Sequence, residues 1–178
     1  MYADSTLTPK EAARLCALGT LSTEHAMSYA SLAASVRHFL DRVQGPSLDV
    51  LGSSLELLKY EGLVETDDTN GESVLSISDA GQRELMILLG ARLRPGATDI
   101  NKLIVALKFR FLHLLDATEQ LIQVEMMLET IETEMVRLMD LRSLHNDDPG
   151  HLMTWLEREI KDLSARAEWL NNFKATAI

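Results

Sequence analysis

Three side chains with affinity for phosphate lie within six residues of one another: Arg37, His38 and Arg42. Guanidinium and imidazole groups carried on one helix can hold the oxygens of a nucleic-acid backbone. Further along, Ser47 opens a helix whose first backbone amides are free to meet a phosphate, although Asp49 competes for the same place. Ser53 offers a hydroxyl to a groove, and Lys59 is the one basic residue on that segment. Other chemistries are less well supplied. His145 and His151 bracket Asp147 and Asp148, donor types that suit a divalent cation, but they flank a helix break without a rigid scaffold, so we read a polar loop there. Cys16 falls on a largely apolar helix face and reads as a small buried residue. Phe109 and Phe111 with Met126, Met127, Met135 and Met139 can line a ligand cavity, but packing accounts for them as well and is the reading taken. No glycine-rich phosphate loop, ligand pair on one helix face or nucleophile elbow occurs, so neither an enzyme nor a cofactor or metal is expected.

The elements that position these residues are bounded by composition. The chain has 178 residues, 46% of them hydrophobic, with four prolines and nine glycines, which is a folding composition. A single cysteine leaves no internal disulfide. The net charge of −10 argues against attachment to nucleic acid through bulk charge alone. No signal peptide is read. The longest apolar stretch, Leu103 to Leu115, is interrupted by Lys108, Arg110 and His113. A cytoplasmic protein that does not enter membranes is expected.

Residues 1 to about 93 are short segments punctuated by turn signals. Thr8-Pro9-Lys10-Glu11 starts a helix: Thr8 can cap, Pro9 suits the first helical position and Glu11 completes a capping box. Gly19 is the predicted stop. A second helix is predicted from Met27 or Ser28, with Leu32, Val36, Phe39, Leu40 and Val43 on one face. Leu48, Leu51, Leu55 and Leu58 set the inner face of a third helix that ends at Gly62. Then the period changes. Leu63 and Val64 begin a strand, Asn70-Gly71 marks a hairpin turn, and Val74, Leu75 and Ile77 form the return. Ser78 caps a helix running through Leu89. Three helices, a hairpin and a further helix outline a winged helix-turn-helix.

After the connector Arg94-Pro95-Gly96-Ala97, residues 98–178 read as helix with one break, at Asn146-Asp147-Asp148-Pro149-Gly150. Leu121, Val124, Leu128, Ile131, Met135 and Leu138 alternate steps of three and four, a heptad seam. Leu156, Ile160, Leu163 and Leu170 repeat the pattern beyond the break, flanked by Trp155 and Trp169. An antiparallel helical pair has little interior of its own, and a two-fold homodimer supplies the missing surface. The seam residues and Trp169 are therefore the candidate dimerisation set. The fold class is mainly α: an N-terminal winged helix-turn-helix with a small β-hairpin wing (1–93), then a C-terminal antiparallel helical dimerisation region (98–178).

This arrangement resembles the PadR-like transcriptional regulators. The resemblance is carried by Leu55, Leu57-Leu58 and Glu61-Gly62-Leu63-Val64-Glu65, then by Leu75-Ser76-Ile77-Ser78-Asp79-Ala80-Gly81, whose end is similar to the family's strand and following helix start. Phe109, Phe111, Leu112, Leu114-Leu115-Asp116 and Glu168-Trp169-Leu170 are similar to its C-terminal dimerisation helices. It implies a homodimer whose paired wings and recognition helices bind double-stranded operator DNA, with a small molecule often relieving that binding.

The charge pattern opens a second reading. With Leu48, Leu51, Leu55 and Leu58 inward, the outward set of the third helix is Asp49, Val50, Gly52, Ser53, Glu56, Leu57 and Tyr60. Glu65, Asp67, Asp68 and Glu72 occupy the wing, and residues 1–100 carry 8 basic against 14 acidic side chains, a net of −6. Carboxylates beside phosphates repel them, and the Debye length of about 8 Å does not screen close contacts. A winged helix that has lost DNA binding and instead meets a basic protein partner is the alternative.

Overall fold

The computed structural model describes residues 6–45, 51–68, 73–96 and 99–177, with 51–54 described by their backbone alone. They divide into two compact units.

The first unit is organised around its N-terminal helix. α1 (Pro9–Glu24) begins with the expected capping box: Thr8 Oγ1 accepts from the Glu11 amide, and Glu11 Oε2 accepts from the Thr8 amide at 2.7 Å. The helix does not stop at Gly19. It continues to Glu24, and the chain turns at His25, whose φ is 71°. Gly19 serves packing instead, since a Cβ there would lie 2.6 Å from ring carbons of Phe111. Ala12, Leu15, Cys16, Leu18 and Leu21 are all fully buried, because α1 is packed on by helices on several sides.

β1 (Ala26–Ser28) follows, a strand that no local signal marked. Ser28 then caps α2 (Tyr29–Gln44), its Oγ accepting from the Ser31 amide at 3.2 Å. α3 (Leu51–Tyr60) buries Leu55 and Leu58. Its expected start at Ser47 and Leu48 lies outside the described residues. Gly62, at φ 70°, turns the chain as predicted into β2 (Val64–Asp67). β3 (Val74–Ile77) pairs antiparallel with β2, Val64 facing Ile77 and Asp67 facing Val74. The expected Asn70-Gly71 turn between them lies outside the described residues. β3 also pairs with β1, giving a three-stranded sheet in the order β1-β3-β2.

Ser78 caps α4 (Asp79–Gly90) and also stitches it to the wing. Its Oγ accepts from the Gly81 amide at 3.0 Å and donates to the Gly62 carbonyl at 2.7 Å. Arg14 of α1 ties this corner down through Glu61 at 2.8 Å and Glu84 at 3.2 Å.

α5 (Asp99–Phe111), followed by a 3₁₀ turn at Leu112–Leu114, packs on α1 and α2. The first unit takes in Thr98–Leu115 together with the residues up to Arg92, while Leu93–Ala97 groups with the second unit; the sequence boundary grouped everything from 98 onward. The cause is Leu103, Ile104, Leu107 and Phe111, a buried stripe that completes the α1 core.

In the second unit, Asp116 caps α6 (Ala117–Leu144), accepting from the Glu119 amide at 2.8 Å. The Asn146–Gly150 break falls where expected, and α7 (Leu152–Ala177) returns. Glu125 meets Lys174, Met135 meets Ser164 and Arg142 meets Glu157; one number rises as the other falls, so the two helices run antiparallel. Leu156, Leu163 and Leu170, seven residues apart, are buried, as are Val124 and Leu128 of the seam.

Candidate nucleic-acid interface

α3 has two sides of opposite character. Leu55 and Leu58 anchor it to the core, and that fixes its rotation. Glu56, Leu57, Lys59 and Tyr60 are left facing solvent, with Leu57 39% and Tyr60 89% exposed. Arg37, His38 and Arg42 are exposed on α2, which packs against α3, and Arg42 lies in the last turn of its helix. Ser47 lies outside the described residues, as does the side chain of Ser53.

The wing's inner face holds Val64 and Leu75, both buried, while Glu65, Asp67 and Asp68 are exposed. Glu61, at the turn from α3 into β2, is engaged by Arg14. That pairing neutralises one carboxylate next to the exposed face of α3. Lys59 is the basic side chain nearest along the chain.

Two chemical groups outside this face, Cys16 and Lys108, are buried in the fold. Cys16 is fully buried and its thiol is pushed up to about 11 by desolvation, partly opposed by Arg110, whose Nη1 lies 3.6 Å from the sulfur. It is a core residue. The Arg110 guanidinium also sits over the rings of Phe39 (4.7 Å) and Phe111 (4.9 Å), so it joins α5 to α2 by cation–π contact. Lys108, 1% exposed, donates from Nζ to the Leu89 carbonyl near the end of α4, and burial lowers its pKa to about 7. Sequence reasoning saw Lys108 only as an interruption of an apolar run. His145 Nδ1 lies 2.8 Å from Asp148 in the polar loop. Among the described residues, no group of three or more His, Cys, Asp or Glu side chains is placed to hold a metal. Among them, no helix is long and apolar enough to cross a membrane.

In the second unit, Val124, Leu128, Leu156, Leu163 and Leu170 are buried, whereas Leu121, Ile131, Met135, Leu138 and Ile160 are half-buried. Trp169 is 54% exposed and stacks on Phe173 with ring centroids 5.8 Å apart. Ile122, Val136, Met139, Leu144 and Trp155 are exposed as well.

Helices packed around α1, with α3 among them, and a small three-stranded sheet as the wing define a winged helix-turn-helix protein, here followed by a helical pair. The family model described as "Putative AphA-like transcriptional regulator" matches residues 2–174, and the chain belongs to that family. Two solved structures align over nearly its whole length. One is the crystal structure of Bacillus subtilis PadR, 18% identical, covering 96% of this chain and 97% of that chain with a TM-score of 0.40. The other is Bacillus subtilis PadR in complex with operator DNA, 18% identical, covering 94% and 99% with a TM-score of 0.37. No curated protein matches the chain.

Proposed function

We propose that this protein is a dimeric regulator that binds double-stranded DNA through α3 and the wing of each protomer. The observation that carries the reading is the outward face of α3, held in fixed rotation by Leu55 and Leu58 within a chain of the AphA-like regulator family. Arg37 and Arg42 take backbone phosphates from α2, Lys59 takes one from the end of α3, Ser47 offers a further phosphate contact, and Ser53 offers its hydroxyl to the groove. None of these phosphate contacts encodes sequence.

The helical pair supplies the dimer. Its half-buried seam residues Ile131, Met135, Leu138 and Ile160 and the exposed Trp169 leave apolar surface that a second copy covers. Two linked heads then meet half-sites about one DNA turn apart or a multiple of it.

Two experiments test this. In fluorescence-anisotropy titrations, Arg37→Ala and Arg42→Ala weaken every duplex alike and each lowers the salt slope by about 1. Unchanged titrations for both variants would remove the arginines from the interface. In sedimentation velocity, the wild type runs as a dimer at micromolar concentration. Ile131→Glu runs as a folded monomer, because the association would bury an unpaired carboxylate. A folded variant that still dimerises would exclude Ile131 from the contact.

The exposed Glu65, Asp67 and Asp68 favour a second reading, in which the wing meets a basic protein surface. A chain of that kind binds no duplex even at low salt.

A further inference from the structure

Glu56, Leu57 and Tyr60 form one contiguous exposed patch, since Tyr60 is one helical turn from each of the other two. Leu57 keeps 39% and Tyr60 89% of its surface in water, exposure that the core of this unit does not require. A carboxylate is equally out of place on a helix meant to approach phosphates. Contact with DNA gives all three a purpose.

We propose that Glu56 and Leu57 set the sequence preference of the helix, Glu56 accepting from the exocyclic amine of cytosine and Leu57 packing on the methyl of thymine. This rests on the DNA-binding assignment above. In the major groove, guanine presents two acceptors and adenine an acceptor beside its donor, while cytosine presents its N4 donor. An ionised carboxylate only accepts. It is therefore repelled least by cytosine and most by guanine. The thymine methyl is the groove's apolar group, and Leu57 is the apolar side chain that α3 directs outward beside Glu56. Successive helix residues rise about 1.5 Å, so the two side chains address the same or neighbouring base pairs. Tyr60, at the end of the helix, donates its phenol to a phosphate and fixes the register.

The arrangement works by rejection. Glu56 lowers affinity for all DNA but lowers it further for purine acceptors, so discrimination comes at the cost of binding strength. A chain of net charge −10 then depends on low salt or on two linked half-sites to stay bound.

The test is selection from a randomised duplex pool with the full-length protein, followed by anisotropy on the selected duplex. The wild type enriches adjacent cytosine and thymine on one strand of each half-site. Glu56→Gln moves the cytosine position to adenine, whose N6 and N7 suit an amide, with relative affinity changed about tenfold. Replacing the thymine by deoxyuridine weakens the wild type about fourfold and leaves Leu57→Ala unaffected. Both substituted residues are exposed, so the variants keep the fold. Guanine enriched at the Glu56 position, or a Glu56→Gln variant that selects the wild-type bases, would overturn the inference and leave DNA binding standing. A wild type that retains no duplex at all would overturn both.

Discussion

Gly81→Ala unfolds far more readily than the wild type in urea, with a loss of about 3 kcal/mol or more. In an open helix the same change stabilises by up to about 1 kcal/mol, because alanine is the better helix former. The sign reverses here because of what lies opposite. A Cβ at position 81 would fall 2.1 Å from the Leu63 carbonyl oxygen and 2.8 Å from Ile77 Cγ1. The first obstacle is backbone, and that same carbonyl accepts from the Ser78 amide at 3.1 Å. Relief would have to move the start of β2 or the first turn of α4, and Ser78 Oγ bridges those elements through Gly62 and Gly81. A loss of this size is a large share of the roughly 5–15 kcal/mol by which domains are stable. Gly90→Ala is the control: its Cβ would meet nothing within 4 Å. Equal urea midpoints for Gly81→Ala and the wild type would show that α4 and the wing are not in close contact.

The second large effect is a pH dependence centred on Lys108. Its ammonium is taken out of water between α5 and the end of α4, and desolvation brings its pKa from 10.5 to about 7. The folded chain therefore binds fewer protons than the unfolded chain between those values. Stability rises with pH across that window and is lost as pH falls toward 7, by about 4 kcal/mol in all. The comparison that isolates it is wild type against Lys108→Met, both followed by urea denaturation between pH 7 and pH 10. The gap should move in favour of the wild type as pH rises. Parallel curves would mean that the Lys108 charge is solvated in the folded state.

These two residues also mark where reading the sequence succeeds and where it stops. Helix starts are local events, so Thr8-Pro9-Lys10-Glu11 and Ser78 declared themselves, and both caps form. The inward face of α3 was legible because Leu55 and Leu58 are one turn apart, and their burial leaves Glu56, Leu57 and Tyr60 outward as read. Gly19 misled, since a glycine that admits the distant Phe111 ring looks the same in sequence as a glycine that ends a helix. β1 has three residues and a partner strand far along the chain, so it had no period of its own. The start of α6 was missed although Asp116 and Glu119 have capping spacing, because no proline or glycine interrupts the run before it. Arg14's two carboxylates and the burial of Lys108 depend on tertiary packing, which no short-range pattern encodes.

We propose that the winged helix grips DNA against an unfavourable overall charge. Titrating the full-length protein onto a fluorescent duplex, first near 20 mM salt and then at rising salt, tests it most directly. Saturable binding whose logarithm falls linearly with the logarithm of salt concentration, with a slope set by a few phosphates per protomer, is the expected result. A flat anisotropy trace at the lowest salt, from protein shown to be folded, would contradict it.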